Sequence, residues 1–544
     1  MGKTTGFDQV VRAMRLGKLC ADRGISAAEG LERAAEARLR HERVTVKENT
    51  RRDVLRGLAG MAGGALVFPQ LGFAARSRPQ VSVGIVGAGL AGLACADALG
   101  AAGIAATLYE GRERIGGRQW SMGGAFAGPV NFPGQVVERG GELIDTTHLT
   151  IKAYAKRFKL QLEDVTKQWL PGEVSYFFAG NRVAEEEVVA EFRDLANRIR
   201  PDLTKLSNYV DYKTHSPFDV AMDNTNLREY LERVGAGPTV TAALDVIYSI
   251  EYGAEIEQQN VLNWLFFMHI DKRSRFQPFG VFSDERYHIV GGNEQIARGI
   301  ANSLPGPIEL GLRLLRVAKR SDGRVELTFD DNGRTLTVTH DAVVFATPYS
   351  TLRDVELPAD LPVANRFAID NLFYGANTKM HVGFTRRFWG DHGSEGASYS
   401  DLPNHQTTWE NNPSKVSPGN AVLLDYSGGE RAKNLNPAKI DQDVARWLTD
   451  LEKIWGGAMS AAKKTAPNKF LAHMQHWPSD PFSKGAYTCN RPGYFTELEG
   501  RVGAPAGNLF FCGEHTDSFY DWQGYMEGAL NSGIRAANEL LAEL

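Results

Sequence analysis

Hydrophobic periodicity divides most of the chain into short buried strands and amphipathic helices. The run Val81–Val86 has the continuous apolar pattern of a buried strand, and an apolar helical stretch separates it from a second strand over Ile104–Tyr109. Helical spacing recurs in Glu186–Ile199 and Asn226–Val234, whereas Val325–Phe329 alternates as a half-buried strand does. Strands that alternate with helices predict an α/β fold, and the mixed later segments predict an additional α+β domain.

A glycine turn, Gly87-Ala-Gly-Leu-Ala-Gly92, follows the first strand directly. Gly87 permits the sharp turn, Gly89 lets a pyrophosphate approach the backbone, and Gly92 allows close packing of helix on strand. The second strand ends at Glu110, where a carboxylate can accept hydrogen bonds from a ribose diol. Strand, turn, helix and acid in this order predict a dinucleotide-binding unit with the phosphates at the helix N-terminus.

Further motifs occur on both sides of the chain's middle. A second glycine turn, Gly111-Arg-Glu-Arg-Ile-Gly-Gly-Arg118, follows the acid, and Phe511–Thr516 with Trp522–Ala529 lies near the end. These segments, together with Val290–Asn293, Val343–Pro348 and Thr378–His381, resemble the landmarks of the flavin amine oxidase family of monoamine, polyamine and L-amino acid oxidases. The similarity spans residues 81–544.

The resemblance implies a Rossmann-like FAD-binding domain that is interleaved with an α+β substrate domain and a helical segment. It also implies non-covalent FAD, because Ala486 stands where monoamine oxidases carry the cysteine that is joined to the flavin. Beyond Gly87, Gly89, Gly92 and Glu110, the residues expected at FAD are Arg112, Gly117, Arg118, Gly140, Gly141, Glu142, Gly513, Glu514, Met526 and Ala529.

The motifs also suggest how the chain is organised. Two domains that are built from discontinuous segments place the active site at their interface, where pockets usually lie. We expect a charged helical extension in 1–49, a twin-arginine signal-like segment in 50–76, FAD-binding parts in 81–150, 285–350 and 505–544, a helical and substrate region in 151–284, and a substrate domain in 351–504.

Three residues carry the expected chemistry. Lys379 lies in a strand-like run of small and apolar residues, and a buried lysine is costly unless it has partners. The resemblance implies that Lys379 holds a water at the flavin N5, and that Tyr487 and Tyr525 flank the substrate amine with their ring faces. The alternatives are a surface lysine on an edge strand and two core aromatics.

The substrate class is less closely defined. An amino acid oxidase needs a cation for the substrate carboxylate, ideally an arginine. Many amino acid oxidases of the family that this chain resembles place such an arginine just after the second Gly-Gly motif. The position in this chain that aligns with it is Leu143, and Arg139 lies nearby but displaced. The run Gly140-Gly-Glu-Leu-Ile-Asp145 nevertheless most resembles exported bacterial L-amino acid oxidases. We therefore predict oxidative deamination of L-amino acids by dioxygen to 2-oxo acids, ammonia and hydrogen peroxide.

Two other functions remain open. One is a primary-amine or polyamine oxidase, in which Glu138, Glu142 and Asp145 would select a cationic amine or a basic side chain. The other is a non-catalytic FAD-binding protein that docks a partner through its N-terminal helix. Release of hydrogen peroxide on addition of substrate would separate the catalytic functions from the last one.

The N-terminal eighty residues have their own signals. Thr50–Arg56 resembles the twin-arginine export motif, a weakly apolar stretch over Gly57–Phe73 follows, and Gly72–Ala75 could be a cleavage site. We therefore expect export to the periplasm or medium by the twin-arginine machinery; the alternative is a basic helix start that leads into a linker. Ser26-Ala-Ala-Glu29 is a capping box for a charged helix to about His41.

Composition excludes several classes of function. The chain has 544 residues, 43% of them hydrophobic, and a formal net charge of −4, so large cores are expected and nucleic acid is not. The four cysteines, Cys20, Cys95, Cys489 and Cys512, have no metal-site spacing, and we expect no metal. His148 and His515 are expected to be structural. A homo-oligomer is left open.

Overall fold

A computed structural model describes residues 5–34, 81–167, 170, 172–268, 285–412 and 421–544. The twin-arginine motif at Thr50–Arg56, the apolar stretch after it and the candidate cleavage site all lie outside the described residues. In the described part of the chain, no helix is long and apolar enough to cross a membrane.

The molecule has two large sheets, and the first of them is parallel and has five strands. Its strand order is β21-β13-β1-β2-β9, and all four pairings are parallel. The strands come from the three separated segments whose glycine motifs predict an interleaved dinucleotide domain. They are β1 (Val83–Val86), β2 (Thr107–Tyr109), β9 (Ile308–Glu309), β13 (Ala342–Phe345) and β21 (Leu509–Phe511), with α2 (Leu90–Ala101) and α16 (Met526–Glu543) packed together beside them.

The second large sheet is mixed and has seven strands in the order β20-β14-β17-β16-β15-β6-β7. We call it the substrate sheet. Its strands are β6 (Glu173–Phe178), β7 (Asn181–Val183), β14 (Asn377–Phe384), β15 (Ser394–Ser400), β16 (Thr407–Glu410), β17 (Ala421–Gly428) and β20 (Ala472–His476).

Two of these strands come from the segment 151–284. This segment, expected to be a helical and substrate region, contains β6 and β7, which extend the substrate sheet. The sequence of β6 is Glu-Val-Ser-Tyr-Phe-Phe, and its β-branched and aromatic residues favour an extended strand. The helices predicted in the same segment are present as α4 (Glu185–Lys205) and α6 (Leu227–Arg233).

The register of the substrate sheet aligns a row of side chains on one face, which we call the inner face. Lys379 is opposite Tyr426, Tyr426 is opposite Thr407, and Thr407 is opposite Tyr399. Tyr399 is in turn opposite Tyr176. Residues directly opposite across a sheet share a face, so the row runs across five strands. Helix α7 (Pro238–Tyr252) packs on this face, and α13 (Ile440–Ile454) covers the other.

The remaining elements connect and cover the two sheets. The other strands are β3 (Ser121–Met122), β4 (Val137–Glu138), β5 (Leu162–Asp164), β8 (Tyr287–Ile289), β10 (Leu312–Lys319), β11 (Val325–Asp331), β12 (Arg334–His340), β18 (Lys464–Ala466) and β19 (Lys469–Phe470). The other helices are α1 (Thr5–Arg23), α3 (Leu149–Arg157), α5 (Pro217–Asp223), α8 (Leu262–Met268), α9 (Glu294–Ala301), α10 (Tyr349–Leu352), α11 (Val363–Asn371), α12 (Gly429–Asn434), α14 (Ala458–Ala461) and α15 (Tyr494–Glu497).

The described part of the N-terminal extension, residues 5–34, is mostly helical and packs on the body of the protein. The capping box is formed in part, because the Ser26 hydroxyl accepts a hydrogen bond from the backbone N–H of Glu29 at 3.1 Å. Residues 27–34 are helical, and the rest of the predicted helix to about His41 lies outside the described residues. Helix α1, which the sequence did not predict, precedes it.

Candidate active site

A long cavity lies between the two sheets, and one of its ends is built from the glycine turn after β1. Gly87 has a φ of 105°, so the turn uses a conformation that favours glycine. A Cβ on Gly92 would lie 1.9 Å from the Gly87 oxygen, which accounts for the close packing of α2 on β1. A Cβ on Gly89 would meet only the Gly117 Cα at 3.9 Å, so the space beside Gly89 is open to a ligand.

Glu110 closes the same end of the cavity. Its carboxylate accepts hydrogen bonds from the backbone N–H groups of Ala88 and Arg112, each at 2.9 Å. Burial raises the pKa of Glu110, and these two N–H donors oppose that shift by stabilising its charged form. The carboxylate is thus fixed beside the turn, with lone pairs left for a diol.

Two predicted FAD-binding arginines line the cavity and bind carboxylates of later segments. Arg112 forms a bidentate pair with Asp480, with nitrogen–oxygen distances of 2.8 and 2.7 Å. Arg118 donates to Glu514 at 2.8 Å and to the backbone oxygen of Ala486 at 2.6 Å. These contacts hold the segments 480–486 and 511–516 against the glycine turns. Both arginines still present cationic surface to the cavity.

Other predicted FAD-binding residues converge on the same space. A Cβ on Gly140 would lie 1.7 Å from the backbone oxygen of Arg118, so this position requires glycine, whereas a Cβ on Gly141 would lie 2.8 Å from the Met526 sulfur, which would have to move. Met526 is the first residue of α16, whose N-terminus faces the cavity. The predicted set that lines the cavity is Gly87, Gly89, Glu110, Arg112, Gly117, Arg118, Gly140, Gly141, Glu142, Gly513, Glu514, Met526 and Ala529.

Lys379 is buried in the wall of the cavity, in a strand that is interior to the substrate sheet. Its ammonium donates to Glu142 Oε2 at 2.6 Å, to the Gly140 oxygen at 2.9 Å and to the Glu138 oxygen at 3.3 Å. Glu142 also accepts from Trp409 Nε1 at 3.3 Å. The three ammonium protons therefore have three acceptors, and the bond to Glu138 is the longest.

The two predicted tyrosines line the cavity near Lys379. The Tyr487 hydroxyl shares a hydrogen bond of 2.7 Å with the Tyr426 hydroxyl and donates to the Ile250 oxygen at 3.3 Å. Tyr525 is the residue before α16, and its ring makes edge contacts with Trp522 and His148. Tyr426 was not predicted, because only its position opposite Lys379 in the sheet brings it here.

Arg139 is placed differently from its predicted role in substrate binding. Its guanidinium donates twice to Gln475 Oε1, at 3.1 and 2.8 Å, and lies 3.1 Å from the centroid of the Trp120 ring. It does not line the cavity, whereas Leu143 does. The geometry therefore disfavours Arg139 as the clamp for a substrate carboxylate, because its guanidinium is directed at Gln475 and Trp120 and does not line the cavity.

The two histidines and the four cysteines lie in buried positions. His148 and His515 are buried, and burial lowers the pKa of each to about 3, so both are neutral. All four cysteines are buried, and none of them forms a disulfide. Among the described residues, no group of histidine, cysteine and carboxylate side chains has the geometry of a metal site.

The comparison with known families decides what this cavity holds. The family of flavin-containing amine oxidoreductases matches residues 90–541, which is most of the chain. The chain belongs to this family. Its cofactor is FAD, and the observed site fits FAD: an open space at a glycine turn, a fixed carboxylate beside it, cationic surface, and a helix N-terminus at the far side.

Relatives of known activity are distant. The L-amino-acid oxidases of Pseudechis australis and Echis ocellatus are each 24% identical to this chain, over 84% of it and 86% and 88% of their own lengths. Cyclohexylamine oxidase from Brevibacterium oxydans superimposes with a TM-score of 0.69 at 22% identity, covering 86% of this chain and 99% of its own. Putrescine oxidase bound to putrescine gives 0.67 at 18% identity, with 85% and 99% covered. These structures confirm the interleaved fold.

Proposed function

We propose that this flavoprotein oxidises the C–N bond of an L-amino acid and uses dioxygen as the electron acceptor. The observation that carries the proposal is the convergence of Lys379, Tyr487 and Tyr525 on one cavity whose other end is built for a dinucleotide. The overall reaction would convert the amino acid, water and dioxygen to a 2-oxo acid, ammonium and hydrogen peroxide. FAD, when bound, accepts the hydride from the substrate carbon and passes the electrons on to dioxygen.

The tyrosine pair would position the amine. Ring faces carry negative quadrupole charge, so two of them direct an amino group between them and exclude water around it. Tyr487 is held at its hydroxyl by Tyr426 and by the Ile250 oxygen. Tyr525 is fixed at the helix start and by its edge contact with Trp522. Both rings are therefore preorganised, which is what positioning requires.

Lys379 would hold a water near the flavin. Its bonds to Glu142 and to the Gly140 oxygen are short, so they fix the ammonium, while the 3.3 Å contact with the Glu138 oxygen is weak. A water that accepts from Lys379 would replace that third contact. Such a water could assist reoxidation or hydrolyse the imine product.

A second candidate function, an amine oxidase, is favoured by the basic side chains that line the cavity and by their partners. Among the described lining residues the lysine and arginine side chains are Arg112, Arg118, Arg313 and Lys379, and Lys379 pairs with Glu142. The first two are paired with carboxylates at the dinucleotide end, and Leu143 stands where an amino acid oxidase is expected to place its clamp. An apolar residue there would leave a substrate carboxylate without a bidentate partner.

Matched substrate pairs test the two candidates directly. The holoenzyme is given L-leucine or isoamylamine, L-lysine or cadaverine, and L-phenylalanine or phenethylamine, because the members of each pair differ only in the carboxylate. Hydrogen peroxide and ammonium are measured together, and D-amino acids are the control for stereochemistry. We expect turnover of the L-amino acids. Turnover of the amines alone would replace the first proposal by the second. If neither the amino acids nor the amines gave hydrogen peroxide, both proposals would be contradicted.

A further inference from the structure

The inner face of the substrate sheet carries two histidines beside Lys379. His381 follows Lys379 by two residues on β14, so both side chains point to the same side, about 7 Å apart along the strand. His473 on β20 is directly opposite His381. The centroids of the two imidazole rings are 6.4 Å apart, and their planes are inclined by 20°. A histidine row therefore adjoins the row that contains Lys379.

The histidine row leads from the edge of the sheet toward Lys379. Strand β20 is the edge strand and β14 is its neighbour. His473 keeps 7% of its surface exposed, whereas His381 is fully buried. In the row of Lys379 itself, the edge position is Gln475, whose side-chain oxygen accepts from Arg139 at 2.8 Å. Arg139 thus occupies the edge of that row, and the histidines lie in the row beside it.

Several polar atoms around the two histidines have no hydrogen-bond partner among the described residues. They are both ring nitrogens of His381, Nε2 of His473 and Oδ1 of Asn411, and all of them are buried. Asn411 is near enough to act on the pKa of His381, but the two side chains do not reach hydrogen-bond geometry. Buried polar atoms in native proteins are almost always paired, and ordered water supplies the partner where the protein does not. These atoms therefore predict bound water between the histidines.

Both imidazoles are neutral in the folded protein. Burial lowers the pKa of His381 well below its usual value, and the charges of Lys379, His473 and Arg139 act in the same direction. Burial lowers the pKa of His473 to about 3, and Arg139 contributes to this shift as well. A neutral imidazole has a donor nitrogen and an acceptor nitrogen, so it can take up a proton at one and release a proton from the other. His381 can therefore pass a proton between two waters.

We propose that His381 and His473, with bound waters, form a proton relay from the edge of the substrate sheet to the water held by Lys379. Oxidation of the reduced, anionic flavin by dioxygen gives oxidised flavin and hydrogen peroxide, and it takes up one proton. Hydrolysis of the imine product takes up one water. The relay supplies that proton to the buried end of the cavity. The proposal rests on the proposed function through the use of dioxygen and through the water at Lys379.

A crystal structure of the holoenzyme that resolves ordered water gives the first test, and it does not depend on turnover. We expect one water within hydrogen-bond distance of each ring nitrogen of His381 and another at Nε2 of His473. If the two rings bonded to each other or to Asn411, with no water between them and Lys379, the relay would be overturned.

The second test measures reoxidation by dioxygen after photoreduction of the flavin, so it needs no substrate. His381→Leu removes both ring nitrogens. His381→Gln keeps a donor and an acceptor for water, but an amide does not exchange protons between its two ends as an imidazole does. Leu424→Met is the matched control, because Leu424 is opposite His381 on β17 and the change conserves volume. FAD content and melting temperature show whether the fold is kept, and His473→Leu at the sheet edge replaces any variant that fails to fold.

Reoxidation should slow by about tenfold or more in His381→Leu and His381→Gln, because a positioned group for proton transfer is lost. The solvent deuterium isotope effect on reoxidation should rise in the same two variants, since proton delivery then limits the rate. Leu424→Met should match the wild type. Wild-type reoxidation in His381→Leu would overturn the relay. So would slow reoxidation with an unchanged isotope effect, because a loss of packing alone does not change the proton step.

Two further comparisons separate the relay from the proposed function. If the His381 variants reoxidised slowly but Lys379→Met reoxidised at the wild-type rate, the path would not end at Lys379 and the relay would be overturned. If the His381 variants behaved as expected but neither amino acids nor amines reduced the wild-type flavin, the relay would stand and the proposed function would be contradicted.

Discussion

The buried pair of Lys379 and Glu142 makes a quantitative prediction. Lys379→Met removes the ammonium and roughly keeps its volume, but it leaves the Glu142 carboxylate buried beside Trp409 without its cation. Breaking one side of a buried ion pair costs about 3–5 kcal/mol. For 544 residues the entropy of unfolding is roughly 1 kcal/mol per degree, so the melting temperature should fall by about 3–5 °C.

A double variant separates this stability effect from the catalytic one. Lys379→Met with Glu142→Gln removes the orphaned charge, while the glutamine oxygen can still accept from Trp409 Nε1. We expect most of the lost melting temperature to return. The reoxidation rate should stay low, because the hydrogen bond of the ammonium to a water is absent in both variants. A bond to a charged group is worth about 1.5–3 kcal/mol, so reoxidation should slow roughly 10- to 150-fold.

Differential scanning calorimetry and stopped-flow measurement of the two half-reactions give the result. Flavin reduction under anaerobic conditions should change less than reoxidation by dioxygen. The water-holding role would be refuted if the double variant reoxidised at the wild-type rate. The account of the ion pair would be refuted if the melting temperature of the single variant Lys379→Met equalled that of the wild type.

Four other outcomes are expected. Gly89→Ala should yield folded apoprotein, since its Cβ fills only the ligand space, whereas Gly92→Ala should fail to fold because its Cβ meets a backbone oxygen; FAD content and yield of soluble protein distinguish them. Acid precipitation should leave yellow flavin in solution, because Ala486 offers no attachment atom, and colour in the pellet would contradict this. Tyr487→Phe should keep flavin reduction close to the wild-type rate, whereas Tyr487→Ala should slow it roughly ten- to thirty-fold in stopped flow. Burial raises the pKa of Glu138 to about 7, so this carboxyl is protonated in the folded protein at pH 5, and its contribution to stability is lost as the pH rises through 7; Glu138→Gln should flatten the fall in melting temperature between pH 5 and 8.

Local sequence patterns predicted the parts of the site that are local in the chain. The turn at Gly87–Gly92 and the buried strand around Lys379 need only neighbouring residues, and both are present. The pairing of Lys379 with Glu142 joins residues 237 positions apart, and no periodicity encodes it. Tyr426 reaches the site only through strand register, which depends on pairing of the whole sheet.

The position of Arg139 also depends on residues that are distant in the sequence. Its position four residues before the aligned Leu143 suggested a displaced clamp. The structure gives its guanidinium to Gln475 and to the face of Trp120. Trp120 and Gln475 are remote in sequence from each other, so their competition for this arginine could not be read from the motif that contains it.

One sheet face organises the candidate site. The row from Lys379 through Tyr426 to Thr407 crosses three strands of the substrate sheet, and both Lys379 and Tyr426 line the cavity. The Tyr426 hydroxyl shares a hydrogen bond of 2.7 Å with the Tyr487 hydroxyl, so the same row also fixes one member of the tyrosine pair. The pairing of these strands therefore places the lysine and the tyrosine relative to each other, although they are more than a hundred residues apart in the chain.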